Sequence, residues 1–297
     1  MIRAIPLLVG LGVLTTGALA EAKTYRWVND QGVVVYSDQP PQVRPGDKER
    51  DALIAEALEI SGTKKELETI PAQIRAQYDA RQSPVRPEDK ARVIRILTDA
   101  FRPDVLYSAV RSAFRSNFDA QRMDVVMDKL RSPLFRKIAA LELAAGEPGA
   151  RQDLERFAMG LQSDIPPPAR VALIQRHEAV MRSADLQIEM AIIASQAVSR
   201  SLEPVLTPAQ RPTGRESDAA ERKLRSQQDP LTRAALVRWL YTYRALTSEE
   251  LATYVEFGES DAGRWFAATQ RKGLLDAMRA AMDTAARHMA SAFPAKR

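Results

Sequence analysis

The sequence predicts a mainly α-helical protein: a helical bundle of two tandem related halves, preceded by a small β-hairpin module. Three observations predict it. Beyond residue 50 apolar side chains recur with the period of one helix face, as in Met123, Val126, Met127 and Leu130 or Leu106, Val110, Ala113 and Phe114. Two stretches of that helical region align with each other at one constant offset. By contrast, "TYRWVNDQGVVVYSDQPP" at residues 24–41 has the chemistry of strands.

Bulk properties bound the function. A chain of 297 residues has room for about two domains, and 45% hydrophobic residues are enough to bury a core. The formal charge of +5 is interspersed along the chain. A nucleic-acid partner needs a concentrated basic face, so that class is excluded. There is no cysteine, which excludes disulfides, thiol catalysis, thiolate metal sites and the lipid-acceptor residue of a lipoprotein.

Taken in order, residues 1–20 form the first element. One basic residue, Arg3, precedes an apolar run over 5–13, and Ala18-Leu19-Ala20 fits the small-x-small cleavage rule of a secretory signal peptide. Ala20-Glu21-Ala22 offers a second cut. The apolar run falls short of the roughly 20 residues of a membrane span, so cleavage is expected, as is a mature form without a transmembrane segment. Export without cysteine points to a bacterial periplasm.

The second element is the module at 21–42. Tyr25 to Val28 and Val33 to Tyr36 are β-branched and aromatic, as strands prefer. Asn29-Asp30-Gln31-Gly32 has the composition of a turn closed by glycine, and Pro40-Pro41 ends the pairing. Tyr25 and Trp27 alternate onto one face, and with Tyr36 they make the candidate interaction surface. A lone hairpin is marginal in water, so this one must gain a strand, dock on the helices or meet a partner.

A polar linker is expected at 43–50, a first helical copy at 51–162 and a second at 167–294. Asp119 and Ser132 stand at N-cap positions. Loops are expected at 144–150 and 163–169, one long helix over 168–202, and a mobile proline-rich loop at 203–217. Asp229-Pro230 reads as a cap followed by a first-turn proline. Thr247 with Glu250 forms a capping box ahead of Leu251, Tyr254 and Val255. The alignment places Met123 on Leu251, Val126 on Tyr254, Met127 on Val255, Ser132 on Ser260, Arg136 on Arg264 and Ile138 on Phe266, which reads as a duplication. Ser132, Pro133, Ser260 and Gly263 define the repeat.

Two resemblances follow from these residues. Tyr25, Trp27, Val28, Asp30, Gly32, Tyr36, Ser37, Asp38, Pro40 and Pro41 match the pattern of domain-of-unknown-function family 4124. That resemblance implies export in bacteria and no agreed activity. Thr247, Glu250, Leu251, Phe257, Ser260 and Gly263 resemble domain-of-unknown-function family 2059, which implies an all-helical exported domain. Gly258 and Asp261 depart from that pattern, as does Phe135 in the first copy.

No constellation carries catalysis. Ser61-Gly62-Thr63-Lys64 spells S-x-x-K but has no S-D-N or K-T-G companion. Of two histidines, His177 lies on the stripe Ile174, His177, Met181, Ala184, Ile188, and is expected to face another helix. His288 sits near the chain end, and metal-ligand spacing is absent. Glu249-Glu250 suits a helix N-terminus. Met278, Met282 and Met289 share a helix face and read as core before binding groove. No catalytic, cofactor-binding or metal-binding residue is assigned, and no cofactor is expected. The expected function is that of an exported, non-catalytic interaction or envelope-support protein whose partner is a protein or envelope component. The alternatives are an apolar-ligand carrier with a cavity between the halves and, more weakly, an envelope hydrolase.

Overall fold

The computed structural model describes residues 25–28, 34–37, 45–79, 86–147, 149–202, 206 and 211–293. The segment expected to direct export, the hairpin turn, and residues 203–205 and 207–210 of the expected mobile loop lie outside them.

Two short strands, β1 (Tyr25–Val28) and β2 (Val34–Ser37), pair antiparallel. Arg26 stands opposite Tyr36 and Trp27 opposite Val35.

The rest is helical. The first segment contains α1 (Pro45–Ile60), α2 (Thr63–Asp79), α3 (Pro87–Ala100), α4 (Pro103–Ser116), α5 (Ala120–Leu130), α6 (Pro133–Ala145) and α7 (Ala150–Gly160). The second contains α8 (Pro168–Met181), α9 (Ser183–Leu202), α10 (Gly214–Arg225), α11 (Gln228–Thr242), α12 (Ser248–Glu259) and α13 (Asp261–Ala292). Proline opens α1, α3, α4, α6 and α8, where its missing N–H would have had no helical partner anyway.

Four expectations are corrected. The polar stretch 43–50 is not a linker throughout: α1 begins at Pro45, because its polar residues form the exposed start of an amphipathic helix. The proline-rich loop ends by Thr213, whose hydroxyl and the Glu216 carboxylate form a capping box that starts α10. The single helix over 168–202 is two helices, broken at Arg182 in the left-handed conformation (φ 51, ψ 46). An L-residue pays for that conformation with roughly 1–2 kcal/mol. Arg271 holds the corner by donating to the Arg182 carbonyl at 2.9 Å. Asp229 lies in the first turn of α11 and Gln227 is the cap.

The core does not divide between residues 162 and 167. The larger cluster joins Ile54 and Leu58 of α1, Leu106, Val110 and Phe114 of α4, and Met123, Val126 and Met127 of α5 to Phe266, Ala277, Met278 and Ala281 of α13. Each fully buried Leu, Val, Phe or Met contributes about 1.5–3 kcal/mol. A second cluster joins Ile138 of α6 to Ile174 of α8, Leu240 of α11, and Leu251 and Val255 of α12. The seam between α13 and α4 is tight. A Cβ on Gly273 would lie 2.9 Å from Val110 Cα and 3.0 Å from Ala113 Cβ. Met278 is buried and Met282 packs on the same core, so these two methionines serve packing. No described helix is long and apolar enough to cross a membrane.

Candidate functional site: a buried carboxylate–aromatic cluster

The polar groups that converge inside the protein lie around the second core cluster. α6 delivers Glu142, α8 delivers His177 and Glu178, α11 delivers Trp239 and, just past its end, Tyr243, and α12 delivers Tyr254. Amphipathic periodicity explains the placement. Glu142 lies one turn beyond Ile138 and two beyond Phe135, both buried, so the helical period puts it on the inward face. Tyr243 is fully buried, and its carbonyl is held by Arg170 Nη2 at 2.5 Å while Arg170 Nη1 takes the Leu246 carbonyl at 3.1 Å.

Glu142 Oε1 accepts from the hydroxyls of Tyr243 at 2.6 Å and Tyr254 at 2.9 Å. His177 Nε2 lies 3.1 Å from the Tyr243 oxygen. With the Tyr243 proton directed at the Glu142 carboxylate, that contact is satisfied when Nε2 carries the imidazole proton. The rings pack as well as bond. His177 meets Trp239 edge-on with centroids 4.8 Å apart, and Trp239 stacks parallel on Tyr243 at 5.6 Å. Beside them the Glu178 carboxylate accepts from Trp239 Nε1 at 2.9 Å, from the Ala184 N–H at 3.0 Å and from the Ser183 hydroxyl. Glu178 thereby caps α9 immediately after the Arg182 corner, which explains how a polar side chain only 6% exposed is tolerated.

Burial dominates the electrostatics. It lowers the His177 pKa to about 3, so the imidazole is neutral. It raises Glu142, against the pull of the two tyrosine hydrogen bonds and of Arg238. It also raises Tyr243 and Tyr254 well above the usual phenol value, and the Glu142 charge adds to that.

The residues singled out in the sequence fall in different places. His177 faces α11 and α12, as its stripe predicts, whereas His288 is exposed on α13. Ser61 contacts Thr63 Oγ1 at 2.8 Å, while Lys64 turns to Glu59 at 2.6 Å, so the S-x-x-K residues form no nucleophile–base pair. Glu250 caps α12 through the Thr247 N–H and receives Lys137 at 2.8 Å. Ser132 caps α6 through the Phe135 N–H, and Ser260 caps α13 through the Gly263 N–H. A Cβ at Gly263 would fall 2.0 Å from the Phe257 carbonyl oxygen, so the corner requires glycine. The side chains of Tyr25, Trp27 and Tyr36 lie outside the described residues. Sequence reasoning missed Glu142, Glu178, Trp239, Tyr243 and Tyr254 as a group; the available signal was a lone glutamate inside "IAALELAA".

Two shallow grooves open to solvent. One, of about 410 Å³, runs beside Glu178, Arg182, Asp185 and Gln228; the other, of about 340 Å³, lies beside Asn117, Arg122, Trp265 and Lys272. Among the described residues, no group of three or more His, Asp or Glu is arranged to hold a metal ion.

Comparison with known proteins bears on the N-terminal part. No curated protein and no solved structure matches the chain. Residues 11–90 match the family model described as Domain of unknown function (DUF4124), which covers the strands, α1, α2 and the start of α3.

Proposed function

We propose that this is an exported periplasmic protein that acts through binding, as a non-catalytic interaction or envelope-support protein, with the paired strands at 25–37 as a separate module on a duplicated helical body. One observation carries the non-catalytic reading. The hydroxyls of Tyr243 and Tyr254, the imidazole Nε2 of His177 and the indole N–H of Trp239 each end on an internal partner. Groups used this way join helices, which supports a structural role for the cluster.

Export is supported by the composition of residues 1–20 and by the family match. The duplication, and with it the divergent likeness to family 2059, is supported by aligned positions that share environments. Met123 and Leu251 are both fully buried, Met127 and Val255 nearly so, Ile138 and Phe266 are both buried, and Ser132 and Ser260 both cap helices. A carrier would need an apolar space between the halves, and the closely packed Gly273 seam favours a binding surface instead.

The test is crosslinking in cells followed by identification of partners, together with the mass of the periplasmic form. The expected result is a chain cut after Ala20 or Ala22 that crosslinks to a protein or envelope component, a contact weakened by Trp27→Ala. Co-purifying lipid would favour a carrier. Turnover of an envelope polymer would favour a hydrolase. A chain still beginning at Met1 in the periplasm would defeat the signal-peptide reading.

A further inference from the structure

We propose that the groove between α13 and the corner joining α4 to α5 is a sugar-binding site, in which an uncharged pyranose ring of a glycan packs on Trp265 and hydrogen-bonds Thr269 and Asn117. The site uses other elements than the paired strands, so it goes beyond the binding role proposed above and does not depend on it. The seam between α13 and α4 is closed where Gly273 meets Val110 and Ala113. About one turn along, beside Asn117 at the end of α4, it opens into the groove of about 340 Å³. That lies within the roughly 300–1,000 Å³ typical of small-molecule sites. One wall is Trp265, Ala268, Thr269 and Lys272, which the spacing i, i+3, i+4, i+7 sets on one face of α13. The other is Asn117 and, from the first turn of α5, Arg122.

Two side chains are prepared for a ligand. Trp265 is held as a platform: it packs on the core, Phe114 meets it edge-on with centroids 6.0 Å apart, and its Nε1–H donates to the Asn117 carbonyl at 3.0 Å. An indole already fixed loses little freedom on binding, and its electron-rich face attracts the weakly positive C–H groups of a sugar ring. Thr269 is only 5% exposed, yet its hydroxyl hydrogen-bonds none of the described residues and borders the groove. A polar group left so in a buried position calls for a partner, and a sugar hydroxyl can both donate to it and accept from it. Asn117 adds an acceptor, since its amide N–H donates to the Ala113 carbonyl at 2.8 Å and leaves the amide oxygen unused.

The charges favour an uncharged ligand. Arg122 is engaged by Asp261 at 2.7 and 3.4 Å, with Asp119 at 3.7 Å, and Lys272 by Asp276 at 2.5 Å. Two cations matched by three carboxylates leave no positive excess for a phosphate or a carboxylate. A polyol suits this lining, because its hydroxyls can donate to the Asn117 oxygen and accept from the N–H groups that Lys272 has left over.

The experiment is saturation-transfer NMR of the full chain with two uncharged probes, chitotetraose and maltotetraose, and with inorganic phosphate as the anionic control. Transfer to the ring C–H protons of at least one sugar is expected, with a shift of the Trp265 indole N–H signal. Ala268→Phe fills the groove from an exposed helix position, so it folds, and is expected to weaken binding at least tenfold. Thr269→Val keeps the shape, removes the hydroxyl and is expected to weaken binding severalfold. Trp27→Ala is expected to leave sugar binding unchanged, which separates this site from the contact proposed for the strands. No transfer from either sugar, response to phosphate alone, or undiminished binding in Ala268→Phe would overturn the site.

Discussion

Tyr243 and Tyr254 donate to the same oxygen of Glu142, from the end of one helix and the middle of the next, at 2.6 and 2.9 Å. One buried carboxylate thus ties α11 and α12 to α6, and through His177 it reaches α8. This junction stands where purely apolar packing would leave the helices free to slide.

Removing either hydroxyl leaves the carboxylate under-satisfied without changing ring packing. Tyr254→Phe is expected to cost about 1 kcal/mol and Tyr243→Phe about 2 kcal/mol, because only the latter also serves His177. Urea denaturation with an unchanged m-value checks the order; equal costs would contradict the shared role of Tyr243.

His177 gives a pH signature of its own. Its folded pKa is lowered to about 3 from 6.5, so its contribution is present above pH 6.5 and is lost as pH falls through the window between those values. The stability advantage of wild type over His177→Gln is expected to shrink by about 1.4 kcal/mol per pH unit below that point. A pH-independent difference would show that the imidazole is not buried neutral.

Gly273→Ala opposes two effects. Alanine favours helix by about 1 kcal/mol, but its Cβ would press on Val110 Cα at 2.9 Å. A backbone atom cannot swing aside, so a net loss of about 1–3 kcal/mol is expected. A thermal midpoint at or above that of wild type would mean that α13 and α4 can separate at no cost.

The two capping serines should differ. Ser132→Ala is expected to cost about 1 kcal/mol. Ser260→Ala should cost more, because that hydroxyl also donates to the Phe257 carbonyl at 2.6 Å. Chemical denaturation of the single and double variants tests this, with near-additive losses expected for caps on separate helices.

The sequence by itself determined that the body is helical, where several helices start, and which of their faces are apolar. These are local properties: the period of Met123, Val126 and Met127, the oxygen of Ser132 within reach of an N–H three residues on, and the Thr247–Glu250 box all act within one or two turns. Only the tertiary structure decided the break at Arg182, the run of α13 along α4, and the cluster around Glu142. The break needs Glu178 to cap α9 and Arg271 to hold the Arg182 carbonyl. The seam needs the missing Cβ of Gly273 to meet Val110 far along the chain. A local window shows Glu142 as a lone charge among apolar residues but not what it meets, because Tyr243 and Tyr254, and His177 behind Tyr243, come from elsewhere in the chain. Periodicity says that a residue faces inward, but which groups it meets is set by how the helices cross.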